Sequence, residues 1–244
     1  SLSEAAAECG LGAFRILAGA FDRTAVSSEL LSYQGPFGVG YAVVAFQPEG
    51  EDESRAFDVA YQQAESARIG TVREREDAYT RLARLTVESF VKTGETPPLP
   101  EDLPAEMTGE RAGVFVSLKY AGKLRGCIGT ISAVTGSIAE EIMKNAISAC
   151  SEDPRFDPVR PEELERISYS VDVLGKTERV DSMDQLDPKR YGVVVISGYR
   201  KGLLLPNLDG VDTVEEQIRI SKQKAGIPEN ERCRLERFEV VRHL

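Results

Sequence analysis

The chain has 244 residues, 41% of them hydrophobic and 29% charged, with a net charge of −10. It is longer than one usual domain, so a full core plus a smaller element is expected, and it has no run of about 18 apolar residues to cross a bilayer. Residues 1–70 hold 4 basic and 10 acidic side chains and residues 71–244 hold 26 and 30, so neither part has the basic surplus that neutralises phosphates. Nonspecific DNA or RNA binding is therefore not expected, although a local basic face is compatible with this balance.

The opening SLSEAAAECGLGAFRILAGAF is interrupted by Glu4, Glu8 and Arg15, and no basic region precedes it. It does not read as a signal peptide, and a cytoplasmic protein is expected. Cys9, Cys127, Cys150 and Cys233 are scattered, with no C-x-x-C pair. That spacing suits neither a disulfide framework nor a structural zinc site, so reduced thiols are expected.

Residues 4–20 have helical apolar spacing, and 29–33 and 39–46 read as two strands around Gln34-Gly35-Pro36. QPEGEDES, with a Pro, a Gly and four acids in eight residues, breaks this pattern and places a linker near 47–54. What precedes it is too short to support its own core. Helices are expected over 55–68 and 74–92, the second ended by the four prolines of TGETPPLPEDLP. Residues 113–120 and 123 onward form a hairpin through Ala121-Gly122. Ser137 with Glu140, and later Thr213 with Glu216, have capping-box spacing and open two further helices. Strands follow at 167–174, at 192–197 with 202–205, and at 237–241, and Gly226 with Pro228 closes the last helix.

Several chemistries lack their residues. There is no G-x-x-x-x-G-K-[ST] loop, and Gly35, Gly38 and Gly40 do not make G-x-G-x-x-G before a helix. The sole histidine, His243, lies beside the C-terminal residue, where fraying is expected, so neither a histidine triad nor a His-rich metal site can be assembled.

The stretch Lys123-Leu124-Arg125-Gly126-Cys127-Ile128-Gly129 remains. In an ideal strand Lys123, Arg125 and Cys127 share one face, and nearby cations favour the thiolate, the nucleophilic form. Gly126 and Gly129 remove side chains beside the sulfur, leaving room for a substrate or another backbone. Cys127 and Arg125 are thus the candidate catalytic pair. Lys123, Gly126 and Gly129 are candidate substrate contacts. The plainer alternative is a small buried hydrophobe beside glycines that mark a bulge. Asp153 and Arg155, held between prolines in DPRFDP, are further candidate ligand contacts, or else a helix stop with a local ion pair.

LRGCIG at 124–129, DPRF at 153–156 and GLLLP at 202–206 before D-T-V-E-E-Q closely resemble the AMMECR domain, over about 170 residues. The resemblance implies an α+β fold, a mainly antiparallel sheet flanked by helices with a small subdomain, and a cleft at the LRGCIG motif. It also implies a role as component A of an AmmeMemoRadiSam-type system, with a radical SAM protein and a Memo-like protein as partners. The ligand would be a small molecule or RNA, with no cofactor and no metal, and the family brings no established reaction. A non-catalytic binding module for a nucleotide, RNA or those partners is the alternative. ECGLGAFRILAGAF and ELLSYQGPFGVGYAVVAF resemble the C-terminal end of Memo-like proteins, relatives of LigB-type extradiol dioxygenases, with Cys9 matching a cysteine near their metal pocket. That family's metal histidines lie in an upstream part, so no dioxygenase chemistry is expected of these residues. The expected organisation is therefore an incomplete α/β Memo-like fragment at 1–46, a linker with a helix at 47–74, and the AMMECR domain at 75–244.

Overall fold

The computed structural model describes residues 11–35, 40–208 and 210–244. Residues 4–10 of the helix expected at 4–20, the strand start at Val39, Cys9 and Pro36 lie outside these residues. The chain divides into two compact units, 1–68 and 69–244.

The first unit contains helix α1 (Leu11–Ala20), an antiparallel hairpin of β1 (Thr24–Gln34) and β2 (Tyr41–Glu51), and the start of helix α2 (Phe57–Arg73). Gln47 to Glu51 belong to β2, opposite residues 24–27 of β1, so the expected linker at 47–54 is mostly strand. Composition misleads here because both faces of a two-stranded ribbon meet water, and its end accepts Pro and acids as a loop does. The units divide further on, within α2. Asp22 accepts the Phe57 N–H (2.7 Å), tying the end of α1 to the start of α2.

The second unit is α+β. Helix α3 (Ala78–Thr93) starts where the Asp77 carboxylate accepts the N–H groups of Tyr79 and Thr80, both at 3.0 Å, and ends on Gly94 in the left-handed region. A short helix α4 (Ala105–Gly109) leads to β3 (Val114–Tyr120) and β4 (Lys123–Gly129), followed by helix α5 (Ile138–Ser151) and β5 (Ile167–Leu174). Strands β6 (Glu178–Val180), β7 (Gly192–Ser197) and β8 (Arg200–Leu204) precede helix α6 (Val214–Lys224). Strands β9 (Arg234–Phe238) and β10 (Val240–His243) complete the fold.

Two four-stranded antiparallel sheets result, β10-β5-β3-β4 and β6-β9-β7-β8. Val114, Val116 and Leu118, alternate residues of β3, are fully buried against Leu82, Val87, Ile142 and Ala146 of α3 and α5. The second face of that sheet carries Phe115, which joins Val194, Leu203 and Phe238 of the other sheet in a separate apolar cluster.

The strand expected at 237–241 is instead two strands in different sheets. Phe238 is buried beneath Gly192, whereas Val240 pairs with Leu174. The crossover falls at Glu239, whose carbonyl accepts the Gly175 N–H (2.8 Å). Uninterrupted β-forming sequence hides such a change of partner. His243 is not frayed: it pairs with Val171, stacks on Tyr79 at 3.8 Å and meets the Asp77 carboxylate at 2.5 Å. Among the described residues no helix is long and apolar enough to cross a membrane.

Candidate functional site: a half-exposed cysteine bracketed by an aspartate and an arginine

Strand β4 lies at the edge of its sheet, and the turn that starts it sets its register. Ala121 and Gly122 both have positive φ, 48° and 78°, as a tight two-residue hairpin turn requires. The pairing then slips between Leu118 and Lys119: Lys119 faces Leu124, Leu118 faces Gly126, and Arg125 is the extra residue of a bulge. The expected row of Lys123, Arg125 and Cys127 is therefore broken. Lys123 faces Tyr120 and Cys127 faces Ser117, positions on opposite faces of β3.

Arg125 is consumed by structure. It donates to both Glu163 carboxylate oxygens (2.7 and 3.0 Å) and to the carbonyls of Asp157 and Pro158 (2.9 and 3.3 Å). These bonds to Glu163 lead in raising the arginine above its usual range, and the same guanidinium leads in lowering the Glu163 carboxyl. Arg125 thus fastens the 157–163 segment to β4.

The glycines are filled as well. A Cβ on Gly126 would lie 2.1 Å from the Ala149 carbonyl oxygen, and one on Gly129 would lie 2.2 Å from the Phe115 ring. The space beside them admits another part of the protein, the second of the two uses expected for it. Lys123 is exposed next to the turn.

Asp153 and Arg155 do converge on Cys127. Asp153 accepts the Cys127 N–H (2.9 Å) and Arg155 donates to the Cys127 carbonyl (3.0 Å). The pair also holds itself together through contacts of 2.6 and 2.9 Å. Two side chains thus satisfy the backbone groups that an edge strand leaves open, in place of a further strand. Arg155 is the main reason the buried Asp153 carboxyl sits far below the usual carboxylate range, with the Cys127 N–H adding to it against the cost of desolvation.

The thiol itself is half-buried and receives the Ser117 hydroxyl at 3.1 Å. It lies on the second face of the sheet, away from the α3–α5 core. The register continues this face through Ser170, opposite Ser117, and through Asp172, opposite Phe115. Asp172 binds Arg242 of β10 (2.7 and 3.2 Å). Arg242 thus stands on the face that carries Cys127, and Arg155 reaches the Cys127 carbonyl.

Ser117, Ser170, Asp172 and Arg242 were not singled out from sequence. The two serines stand at alternate strand positions that could have flagged a polar face, but Arg242 comes from a distant element and carries no local signal. Glu141 was also missed. This fully buried carboxylate accepts from the hydroxyls of Thr130 and Thr135 and the N–H groups of Val134 and Thr135, fixing the loop after β4. Burial alone would raise its pKa, and these bonds together lower it. Cys150 is buried, and desolvation pushes its thiol up to about 11. Among the described residues no group of three His, Cys, Asp or Glu side chains is arranged to hold a metal ion.

Residues 80–243 match the family model described as AMMECR1. Protein CA_C1420 of Clostridium acetobutylicum is 44% identical over 239 residues, covering 98% of this chain and 50% of that protein, so the chain spans half the length of this relative. A Thermotoga maritima protein is 48% identical over 170 residues, covering 69% of this chain and 98% of that one. The crystal structure of uncharacterized protein PH0010 from Pyrococcus horikoshii has a TM-score of 0.63 and 32% identity, covering 69% of this chain and 90% of that chain. The chain belongs to the AMMECR1 family.

Proposed function

We propose that the second unit is component A of an AmmeMemoRadiSam-type system and that it presents Cys127 as a nucleophile to a small molecule, alongside a radical SAM protein and a Memo-like protein. The observation that carries this reading is the placement of the sulfur. A cysteine retained only for packing would sit in the α3–α5 core, as Cys150 does; Cys127 sits on the other face, half-exposed, with a hydroxyl at 3.1 Å, the Arg155 guanidinium on its own carbonyl and Arg242 on the same face of the sheet. Positive surroundings and access are the two conditions that make a cysteine reactive.

The same reading takes residues 1–46 as the end of a Memo-like, LigB-type domain and places the protein in the cytoplasm. Its support is physical. Leu30, Tyr33, Tyr41 and Val43 stand exposed on a two-stranded sheet, a form that needs further layers, and the Clostridium relative has twice the length to supply them.

A panel of weakly electrophilic chloroacetamides, mixed with the folded protein and read by intact and peptide mass spectrometry, tests the reactive-cysteine reading. Adducts are expected on Cys127 ahead of Cys150 and Cys233, and Cys127→Ser removes them. No adduct at Cys127, or an even spread over Cys127, Cys150 and Cys233, would leave the domain a non-catalytic binding module for a nucleotide, RNA or its protein partners.

A further inference from the structure

The two sheets of the second unit are joined by two direct crossovers, β5 to β6 and β9 to β10. These touch where the Gly175 N–H donates to the Glu239 carbonyl (2.8 Å). A cleft of about 530 Å³ opens beside this contact, with Lys176, Glu178, Arg190, Tyr191, Arg237 and Glu239 in its walls. That volume falls inside the range of about 300–1,000 Å³ in which small molecules are held. The register brings the charges together. Arg237 of β9 pairs with Glu178 of β6, and its guanidinium donates to one oxygen of that carboxylate (3.2 and 3.1 Å) and to the Gln185 carbonyl (2.7 Å). Arg190, just before β7, donates twice to one oxygen of Glu239 (3.0 and 2.8 Å). Both guanidiniums also meet the Tyr191 ring, with their central carbons 4.8 Å (Arg190) and 4.4 Å (Arg237) from its centre. Lys176 is exposed and has no hydrogen bond or ion pair among the described residues. Three cations and two carboxylates thus leave the cleft with one positive charge, in a chain whose net charge is −10.

We propose that this cleft binds a small molecule carrying a phosphate-type oxyanion on a planar ring, with Lys176 as the main anion contact and Arg190, Tyr191 and Arg237 as the platform for the ring. The division of labour follows from what each side chain has left. The Lys176 ammonium brings three N–H donors and a full charge with no carboxylate to offset it, which suits an oxyanion with several acceptor oxygens. Each arginine spends edge donors on its glutamate, so what it offers a ligand is its planar face, and guanidinium faces stack on aromatic rings. The two glutamates hold those planes against Tyr191 and leave the surplus charge on the lysine. The inference is independent of the reading of Cys127 as a nucleophile and uses none of its residues.

Phenyl phosphate, inorganic phosphate and phenol, titrated into the ¹⁵N-labelled full chain and followed by amide shifts in NMR spectra, test the site. Phenyl phosphate should give saturable shifts centred on Gly175, Lys176, Tyr191 and Gly192, inorganic phosphate should bind about tenfold more weakly, and phenol should give none of these shifts. Lys176→Met should weaken phenyl phosphate about tenfold, the effect of losing one charged contact, whereas Lys176→Arg should hold it within about twofold. Lys176 is exposed, so the rest of the spectrum should stay as in wild type and show an intact fold. Lys201→Met, which removes a lysine of β8 outside the cleft, should leave the affinity unchanged. No saturable shift, shifts without this focus, or equal affinity in Lys176→Met and wild type overturns the site. Equal affinity for phenyl phosphate and inorganic phosphate overturns the platform and with it the proposed ligand.

Discussion

Asp153 makes the strongest single-residue commitment at the site, because one buried carboxylate serves both the Cys127 N–H and the Arg155 guanidinium. Asp153→Ala leaves a backbone donor unmet and an arginine without its partner, and the expected loss is about 3 kcal/mol in urea unfolding. Asp153→Asn keeps an acceptor for the N–H and should lose less. The pH dependence follows from the depressed carboxyl. Folding stability from Asp153 is fully present above the unfolded-state value of about 4 and is lost as pH falls through the lower folded-state value. Glu141 and Glu163 are shifted in the same direction and add to this acid sensitivity. The urea midpoint of wild type should thus fall more steeply below pH 4 than that of Asp153→Asn. Equal slopes would contradict the assignment.

At the scale of elements, β4 is shaped by its turn, its bulge and the helix beneath it. Ala121 holds φ of 48°, a region that suits glycine, so Ala121→Gly should raise stability by about 0.5–1 kcal/mol as read from the denaturant midpoint. Gly126→Ala should cost about 3 kcal/mol, because its methyl would meet the backbone oxygen of Ala149 and neither strand nor helix can yield cheaply. Much of this region was legible in the sequence. Ala121-Gly122 announced the hairpin, the period-2 run gave β3, and Ser137 marked the start of α5. Even there the capping detail differs: Ser137 accepts the Glu140 N–H, but the Glu140 carboxylate turns to the Gly136 N–H. The bulge at Arg125 was not legible as a register, since one extra residue changes which side chains share a face without changing composition. Asp153 and Arg155 could be named from the Pro-flanked charges, but their grip on Cys127 spans 26 and 28 residues and has no periodic trace. The pairing of Arg125 was hidden for the same reason: its partner Glu163 lies 38 residues away.

At the scale of the molecule, the two units differ in how well each closes a core. The second carries a core of α3, α5 and the first sheet, while the first leaves Phe14, Ile16, Leu31 and Tyr33 more than half exposed. The Thermotoga relative is matched along 98% of its length by 69% of this chain, so a chain of about the second unit's size exists by itself. Removing residues 1–56 should leave the thermal midpoint of the second unit unchanged and lower the binding of a hydrophobic dye. A large fall in the midpoint would show that the first unit stabilises the second. The α+β class followed from the resemblance to the AMMECR domain, and most strands followed from alternation and turn residues. The division inside α2 did not, because the acid-rich segment that looked like a linker is the end of a strand. The partition of residues 234–243 between two sheets was equally hidden, since 237–241 read as one strand and its two parts differ only in their partners.

The central claim is that Cys127 stands open in the folded protein while Cys150 is packed away. Iodoacetamide labelling of each cysteine over time at neutral pH, in the folded protein and again in denaturant, tests it directly. Cys127 should be labelled in the folded protein at a rate at least equal to that in the unfolded chain, with Cys150 protected until unfolding. Labelling of Cys127 only on unfolding, in step with Cys150, would contradict the account and make the LRGCIG cysteine a packing residue.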